Sequence, residues 1–319
     1  MDTDSTYGED NSNASTSIYS AITRYEWKHG RRYHAYQSGS YSFPNDEREQ
    51  DRLDMLHHAI TRLLDGRLFL APIQPNGLKI LDIGTGTGIW PISMGDTYPG
   101  AFVTGNDLSP IQPSWVPNNV KFLVDDVELD WVQSSQYDYI HCRYMAASIK
   151  DWPRLMRQIH ESLKPGGWVE FQESASTYKT DEGELLPTEV SDELHPTYAF
   201  RQLNEALRDA CATTGRTFDP TPHLCRWATE SGFQNAKQTN FQVPVGNWPK
   251  DQRNKEIGNM MAMNFTEGVE AMTAVLVRDV LAWPAEEVEM LNARVRLAAK
   301  NKDLRLTFDY VVVTAQKHV

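Results

Sequence analysis

The sequence predicts an α/β fold built on a mostly parallel sheet with helices on both faces. Three observations predict it. Residues 78–83 form an apolar run, interrupted only by Lys79 and Asp82, that opens into the turn Gly84-Thr85-Gly86-Thr87-Gly88. Two further strand-like runs end in acids, at Asp107 and at Asp125-Asp126. Beyond them, apolar residues recur at helical spacing, as at Leu155, Met156, Ile159 and Leu163. Strands that read as near-continuous apolar runs belong to sheets covered on both faces.

The elements follow in order. Residues 1–22 are polar and almost free of apolar periodicity, which predicts a disordered tail ahead of a single domain over 23–319. Residues 47–64 form an amphipathic helix with Leu53, Leu56, Ile60, Leu63 and Leu64 on one face, and Gly66 lies just past its end. Strands are predicted over 78–83, 102–107, 120–127 and 137–142. A helix over 152–163 is stopped by Lys164-Pro165-Gly166-Gly167, and a fifth strand starts at Trp168. The core therefore spans 78–173. Insertions over 174–232 and 250–300 follow, with helices at 196–214, at 222–230 and along 250–300, and a strand near 237–245. The last segment, 304–314, reads as a strand that pairs with the preceding one at the sheet edge.

The glycine loop says what kind of ligand is held. Gly84, Gly86 and Gly88 lack Cβ atoms, so backbone can turn tightly and lie against a ligand. Such a loop at the carboxyl end of a parallel strand is where open α/β sheets bind nucleotide-like molecules. A dinucleotide site needs G-x-G-x-x-G, whereas the spacing here is G-x-G-x-G with Ile89 at the sixth position. No Gly-Lys-Ser/Thr follows, which excludes a P-loop. Asp82 just before the turn would repel a pyrophosphate and suits a ligand with a cationic end. S-adenosylmethionine fits, since it carries a sulfonium and an ammonium and no phosphate. Asp107 lies about 20 residues past the glycines, where a carboxylate can accept both ribose hydroxyls. Asp126 can accept an adenine amino group beside the apolar Val127; the competing reading of Asp125 and Asp126 is a turn or helix cap.

With these runs, the fourth strand Tyr137-Asp138-Tyr139-Ile140-His141-Cys142 and the Lys164-Pro165-Gly166-Gly167 break, the chain resembles the class I S-adenosylmethionine-dependent methyltransferases. The resemblance implies a Rossmann-like, seven-stranded, mostly parallel sheet with an antiparallel last strand. It also implies that Asp82, Gly84 and Gly86 hold the methionine end, Asp107 the ribose, and Asp126 with Val127 the adenine. Thr85, Leu108 and Asp125 complete that set. The flank narrows the likeness: Tyr25-Glu26-Trp27-Lys28-His29-Gly30-Arg31-Arg32-Tyr33-His34-Ala35-Tyr36, then Gly39-Ser40-Tyr41-Ser42-Phe43-Pro44, is similar to the flank of the fungal LaeA-like methyltransferases. That group contains regulators of secondary metabolism and biosynthetic-cluster enzymes. The flank and the C-terminal insertions then form a helical cap, with Tyr36 and Tyr41 either folding over the cofactor or docking the arm on the core. Three functions follow from the resemblance: methyl transfer to O or N of a small secondary metabolite, a regulatory role through protein partners, or a silent cofactor-binding scaffold.

Candidate general bases are His141 and Glu173, with His195 and His223 behind them. His141 ends the fourth strand, and its competing role is to orient the methionine end or pack beneath it. Arg143 pairs either with the methionine carboxylate or with a surface acid. Glu173, at the end of the fifth strand, borders the acceptor side or caps a loop. Met260, Met261 and Met263 near Phe265 form either a soft acceptor wall or a core stripe. No histidine in the flank has metal-ligand spacing, so no metal is expected.

Composition bounds the rest. A net charge of −12 over 319 residues argues against nucleic-acid binding, which needs a basic face. No run of 18 apolar residues predicts a membrane span. The polar start lacks a basic and apolar leader, and three widely spaced cysteines suggest neither disulfides nor zinc, so a cytoplasmic or nuclear location is expected.

Overall fold

The computed structural model describes residues 25–34, 36, 39, 41–132, 136–185 and 196–318. The tail expected over 1–22, and His195, lie outside the described residues. The described residues open with a hairpin, β1 (Tyr25–Lys28) and β2 (Arg31–His34), and continue into helix α1 (Glu47–Leu63). Asp46 caps α1 by accepting the backbone N–H of Glu49 at 3.1 Å, and Arg31 of the hairpin grips the same carboxylate with two N–H groups at 2.5 and 2.9 Å. One acid thus starts the helix and docks the flank.

The core follows as β3 (Lys79–Ile83), α2 (Ile89–Thr97), β4 (Phe102–Asp107), β5 (Val120–Val124), β6 (Tyr137–Arg143), α3 (Trp152–Ser162) and β7 (Leu163–Lys179). The C-terminal part adds α4 (Pro196–Thr213), α5 (Leu224–Glu230), β8 (Gln234–Pro244), α6 (Gln252–Thr273) with a π-helical continuation Ala274–Val280, α7 (Ala285–Lys300) and β9 (Thr307–Gln316). The seven-stranded sheet has the order β5-β4-β3-β6-β7-β9-β8. β3, β4, β5, β6 and β7 run parallel, and β9 is antiparallel to both its neighbours. The strand order reverses between β3 and β6, which places the switch crevice at the glycine loop.

The last strand pairs with the preceding one at this end of the sheet, as expected. β9 itself sits inside the sheet, and β8 takes the edge. Burial explains the order. Phe308, Tyr310, Val311, Val312, Val313 and Ala315 are buried on both faces of β9, whereas β8 begins Gln234-Asn235-Ala236-Lys237-Gln238 and is largely exposed. An apolar strand needs cover on both sides, and a polar one blunts an open edge.

Helices cover both faces. α3 and α5 pack Leu155, Met156, Ile159, Leu224 and Ala228 against Val311, Val313 and Ala315. On the other face α1, α4, α6 and α7 bury Ile60, Phe200, Met261 and Val295 with Tyr310 and Val312, while Trp90 and Met94 of α2 meet Ile80, Val103 and Tyr139. Met260 and Met261 belong to this packing and Met263 faces outward, so the methionine stripe is a core feature. Among the described residues no helix is long and apolar enough to cross a membrane, and no His, Cys, Asp or Glu cluster is placed to hold a metal ion.

One close approach ties α6 to the end of the sheet. The Gly246 N–H donates to the Gly258 carbonyl at 2.8 Å, and a Cβ on Gly258 would lie 2.0 Å from the Gly246 carbonyl oxygen. Backbone cannot yield there as a flexible side chain would. Gly258→Ala is therefore expected to destabilise the protein by about 1–3 kcal/mol, the usual cost of overpacking, read as a lower urea midpoint at unchanged slope.

Candidate active site

The glycine loop is held from below and closed from above. Gly84 sits at φ +64, where a residue with a Cβ would be strained, and a Cβ there would lie 2.2 Å from Met145 Sδ and push that side chain aside. Beneath it, Asp82 is 3% exposed and both its oxygens are occupied. Oδ2 accepts the Thr85 hydroxyl at 2.6 Å, and Oδ1 faces His141 Nδ1 at 2.7 Å. His141 is the register partner of Asp82 on β6. Its ring is 1% exposed and stacks on Trp90 at 3.9 Å and 2°. Trp90 is fixed in turn by its indole N–H, which donates to the Leu68 carbonyl at 2.9 Å. Asp82, His141 and Trp90 thus form a clamp under the loop. Neither Asp82 nor His141 lines the cleft.

The cleft lies over the carboxyl ends of β3, β4, β5 and β6 and encloses about 990 Å³ including its open mouth. On one side it is lined by Gly84, Thr85, Gly86, Asp107, Leu108, Asp125, Asp126 and Val127, which the sequence had grouped. Asp107 is oriented by backbone: Oδ2 accepts the Gly86 N–H at 2.8 Å and Oδ1 that of Ser109 at 2.9 Å. Burial pushes its carboxyl up to about 6, against the opposing pull of those donors. Asp126 lines the cleft, and its Oδ1 accepts the Glu128 N–H at 2.9 Å, the turn role weighed for it. Val127 is 7% exposed, an apolar floor.

The other side comes from the flank and from the loop after β6. Tyr41 lines it, seated against Phe43 and His34 at ring distances of 5.2 and 6.0 Å; Tyr36 does not. Leu53, Leu56 and His57 of α1 line it as well. Asp54 ties this helix to the glycine loop by accepting the Thr87 hydroxyl at 2.6 Å. Sequence reading placed Leu53 and Leu56 on the helix's core face and left His57 without a role. The signal was present in the i, i+3, i+4 spacing of 53, 56 and 57, yet spacing does not say that the stripe ends at a cleft.

Tyr144, Met145, Ser148 and Ile149 complete this wall, with Arg143 between the two sides. Tyr144 and Ala147 adopt φ +56 and +61, left-handed conformations that cost a non-glycine residue energy and must be held by their surroundings. The Tyr144 N–H donates to the Gln172 carbonyl at 3.0 Å and the Ala147 N–H to that of Thr217 at 2.8 Å, and Glu173 holds the two residues between them. It is 0% exposed and accepts the N–H groups of Met145 at 2.7 Å and Ala146 at 3.4 Å. Burial raises its carboxyl to about 8. Glu173 therefore supports the wall from behind and does not open on the cleft. His223 is also elsewhere, against Trp227 at the start of α5.

Comparison with known proteins agrees with this arrangement. The family described as "methyltransferase domain" matches residues 55–238. Methyltransferase pytC of Aspergillus terreus is 54% identical over 309 residues, spanning 97% of this chain and 93% of its own. The secondary metabolism regulator laeA of Aspergillus fumigatus is 34% identical over 285 residues, spanning 87% of this chain and 72% of its own. A protein-methionine methyltransferase laeA of Emericella nidulans is 33% identical over 284 residues, with the same coverage. The fold, the glycine-loop cleft and these likenesses together place the chain in the class I S-adenosylmethionine-dependent methyltransferases, among the LaeA-like members of that family.

Proposed function

We propose that this enzyme transfers the methyl group of S-adenosylmethionine to an oxygen or nitrogen of a small metabolite bound against the wall formed by α1 and the loop after β6. The observation that carries this reading is the two-sided cleft. One side offers acids and bare backbone suited to the cofactor, and the other offers Tyr41, Leu56, Tyr144, Met145 and Ile149. The residues fit the cofactor part by part. Asp107 keeps acceptor capacity for the ribose hydroxyls beyond its two backbone bonds, and Asp126 and Val127 offer an acceptor and an apolar floor for adenine. Arg143 offers a cation for the methionine carboxylate, and Gly84 with Gly86 leaves room for the amino-acid end. The sulfonium, when bound, supplies an activated methyl group.

The chain's own work is then placement. Holding the acceptor atom in line and close can supply roughly 7–11 kcal/mol of the barrier. The apolar wall excludes water that would compete as nucleophile. Neither His141 nor Glu173 reaches the cleft, and the acceptor nitrogen of His57 is taken by Arg143. This favours an acceptor that is already nucleophilic over one that needs a protein base. A small acceptor is favoured over a protein because the 54% identical relative is named simply a methyltransferase, while the relatives named as regulators stand at 32–36%. The protein-methionine methyltransferase among them makes a protein acceptor the second reading. The charge of −12 and the three free cysteines suit a reducing cytosol or nucleus without nucleic-acid partners.

Incubation of the purified protein with methyl-labelled S-adenosylmethionine and a fungal lysate tests the reading. Label in an extractable small molecule is expected; label confined to protein would select the second reading instead.

Two substitutions test the cofactor side. Asp107 has a folded carboxyl value raised from the ordinary 3.8 to about 6, so without ligand it takes up a proton as pH falls through 6. Ribose hydroxyls are best accepted by the ionised form. S-adenosylhomocysteine affinity should therefore rise between pH 5 and 7 and level off above, and Asp107→Asn should weaken binding by at least about tenfold and flatten the profile. A calorimetric titration that shows the same pH slope in the variant would refute this. His141→Ala removes the clamp under Asp82, and affinity and turnover should fall together. Turnover lost at full affinity would instead return His141 to the role of base.

A further inference from the structure

We propose that His57 is a positioning residue that aims the Arg143 guanidinium at the carboxylate of the cofactor's methionine end. The proposal rests on the cofactor reading above and assigns a part of that site to the flank helix.

Arg143 lines the cleft at the end of β6, and among the described residues no carboxylate pairs with it. Its partner is a neutral ring: Arg143 Nη2 lies 3.1 Å from His57 Nδ1. A guanidinium has no acceptor, so Nδ1 must present its lone pair and the ring proton must sit on Nε2. The other side of the ring agrees, since Nε2 is within reach of Ser93 Oγ at 3.4 Å and Thr61 Oγ1 at 3.5 Å, both able to accept. The guanidinium sets the tautomer, and the two hydroxyls are compatible with it. His57 is 3% exposed, and burial first, then the charge of Arg143, then His58 and His141, hold it far below its ordinary value, at about 2. The ring stays neutral and cannot neutralise or repel what Arg143 binds.

A cation steered by a neutral acceptor keeps its full charge for another partner. A carboxylate in the same position would have quenched it, and no partner at all would have left a flexible side chain free to swing to solvent. The geometry points to a monoanion of planar, bidentate kind, which is how guanidinium and carboxylate meet. The amino-acid end of the cofactor is the carboxylate that the glycine loop brings to this corner.

The test compares two probes on the full chain. S-adenosylhomocysteine carries the carboxylate, and 5′-methylthioadenosine shares the nucleoside and sulfur without it. His57→Leu is expected to weaken S-adenosylhomocysteine by about tenfold or more while leaving 5′-methylthioadenosine unchanged. His57→Asn, whose Oδ1 can accept where Nδ1 does, should recover most of that loss. Arg143→Gln should reproduce the selective loss. Equal weakening of both probes by His57→Leu would reduce His57 to a packing role and overturn the proposal, as would unchanged affinity for S-adenosylhomocysteine. A wild-type protein that binds neither probe would overturn the cofactor reading itself, and the wild-type titration alone distinguishes that failure.

Discussion

The structure depends on one buried carboxylate. Asp82 is held by Thr85 from its own loop and by His141 from the neighbouring strand, and His141 is pressed flat against Trp90 of the following helix. A buried charge is costly unless it is paired and hydrogen-bonded. Here each oxygen has a partner within 2.7 Å, so the carboxylate joins β3, β6, α2 and the glycine loop into one unit. The loop's shape then sets everything above it. Gly84 admits Met145, Gly86 donates to Asp107, and Thr87 reaches Asp54 of the flank helix. The two sides of the cleft are therefore built on the same anchor, although they come from distant parts of the chain.

The second side shows how a family core becomes a particular enzyme. The hairpin docks through Arg31 on Asp46, Asp46 starts α1, and α1 carries Leu53, Leu56 and His57 to the cleft. Arg52 holds Glu49 on the same helix and reaches Asn264 of α6, so the flank is braced against the C-terminal insertion. Opposite, Glu173 keeps Tyr144 to Ala147 in a shape that includes two left-handed residues. Buried polar groups that are satisfied in this way rigidify what they hold. Both walls are thus made by residues whose charges face away from the cleft, which leaves apolar surface and Arg143 facing in.

Much of the glycine-loop side of the cleft was legible because its signals are local. A strand ending in an acid, a glycine turn, and acids at the ends of the next two strands are read from neighbouring residues, and Asp107, Asp126, Val127 and Arg143 all reach the cleft. The strands were legible for the same reason, since apolar runs and helical spacing are short-range patterns. His141 and Glu173 illustrate the limit. Both were expected at the ends of strands that point at the site, although β6 runs on to Arg143 and β7 to Lys179. Chain position alone cannot say on which face of the sheet a side chain emerges or what covers it. His141 shares its face with Asp82 and is capped by Trp90; Glu173 is turned beneath the loop it supports.

What the sequence by itself determined is the class of fold, the kind of cofactor and the residues that line one side of the cleft. These follow from periodicity, glycine placement and acid spacing, which are properties of the chain read a few residues at a time. Only the tertiary structure decided that β9 lies inside the sheet, that the flank helix walls the cleft, and that His57 meets Arg143 across 86 positions. Each of those outcomes depends on which surfaces are buried against one another. Burial is a property of the packed whole, where apolar strands compete for cover and polar side chains compete for partners, so no single stretch of sequence carries it.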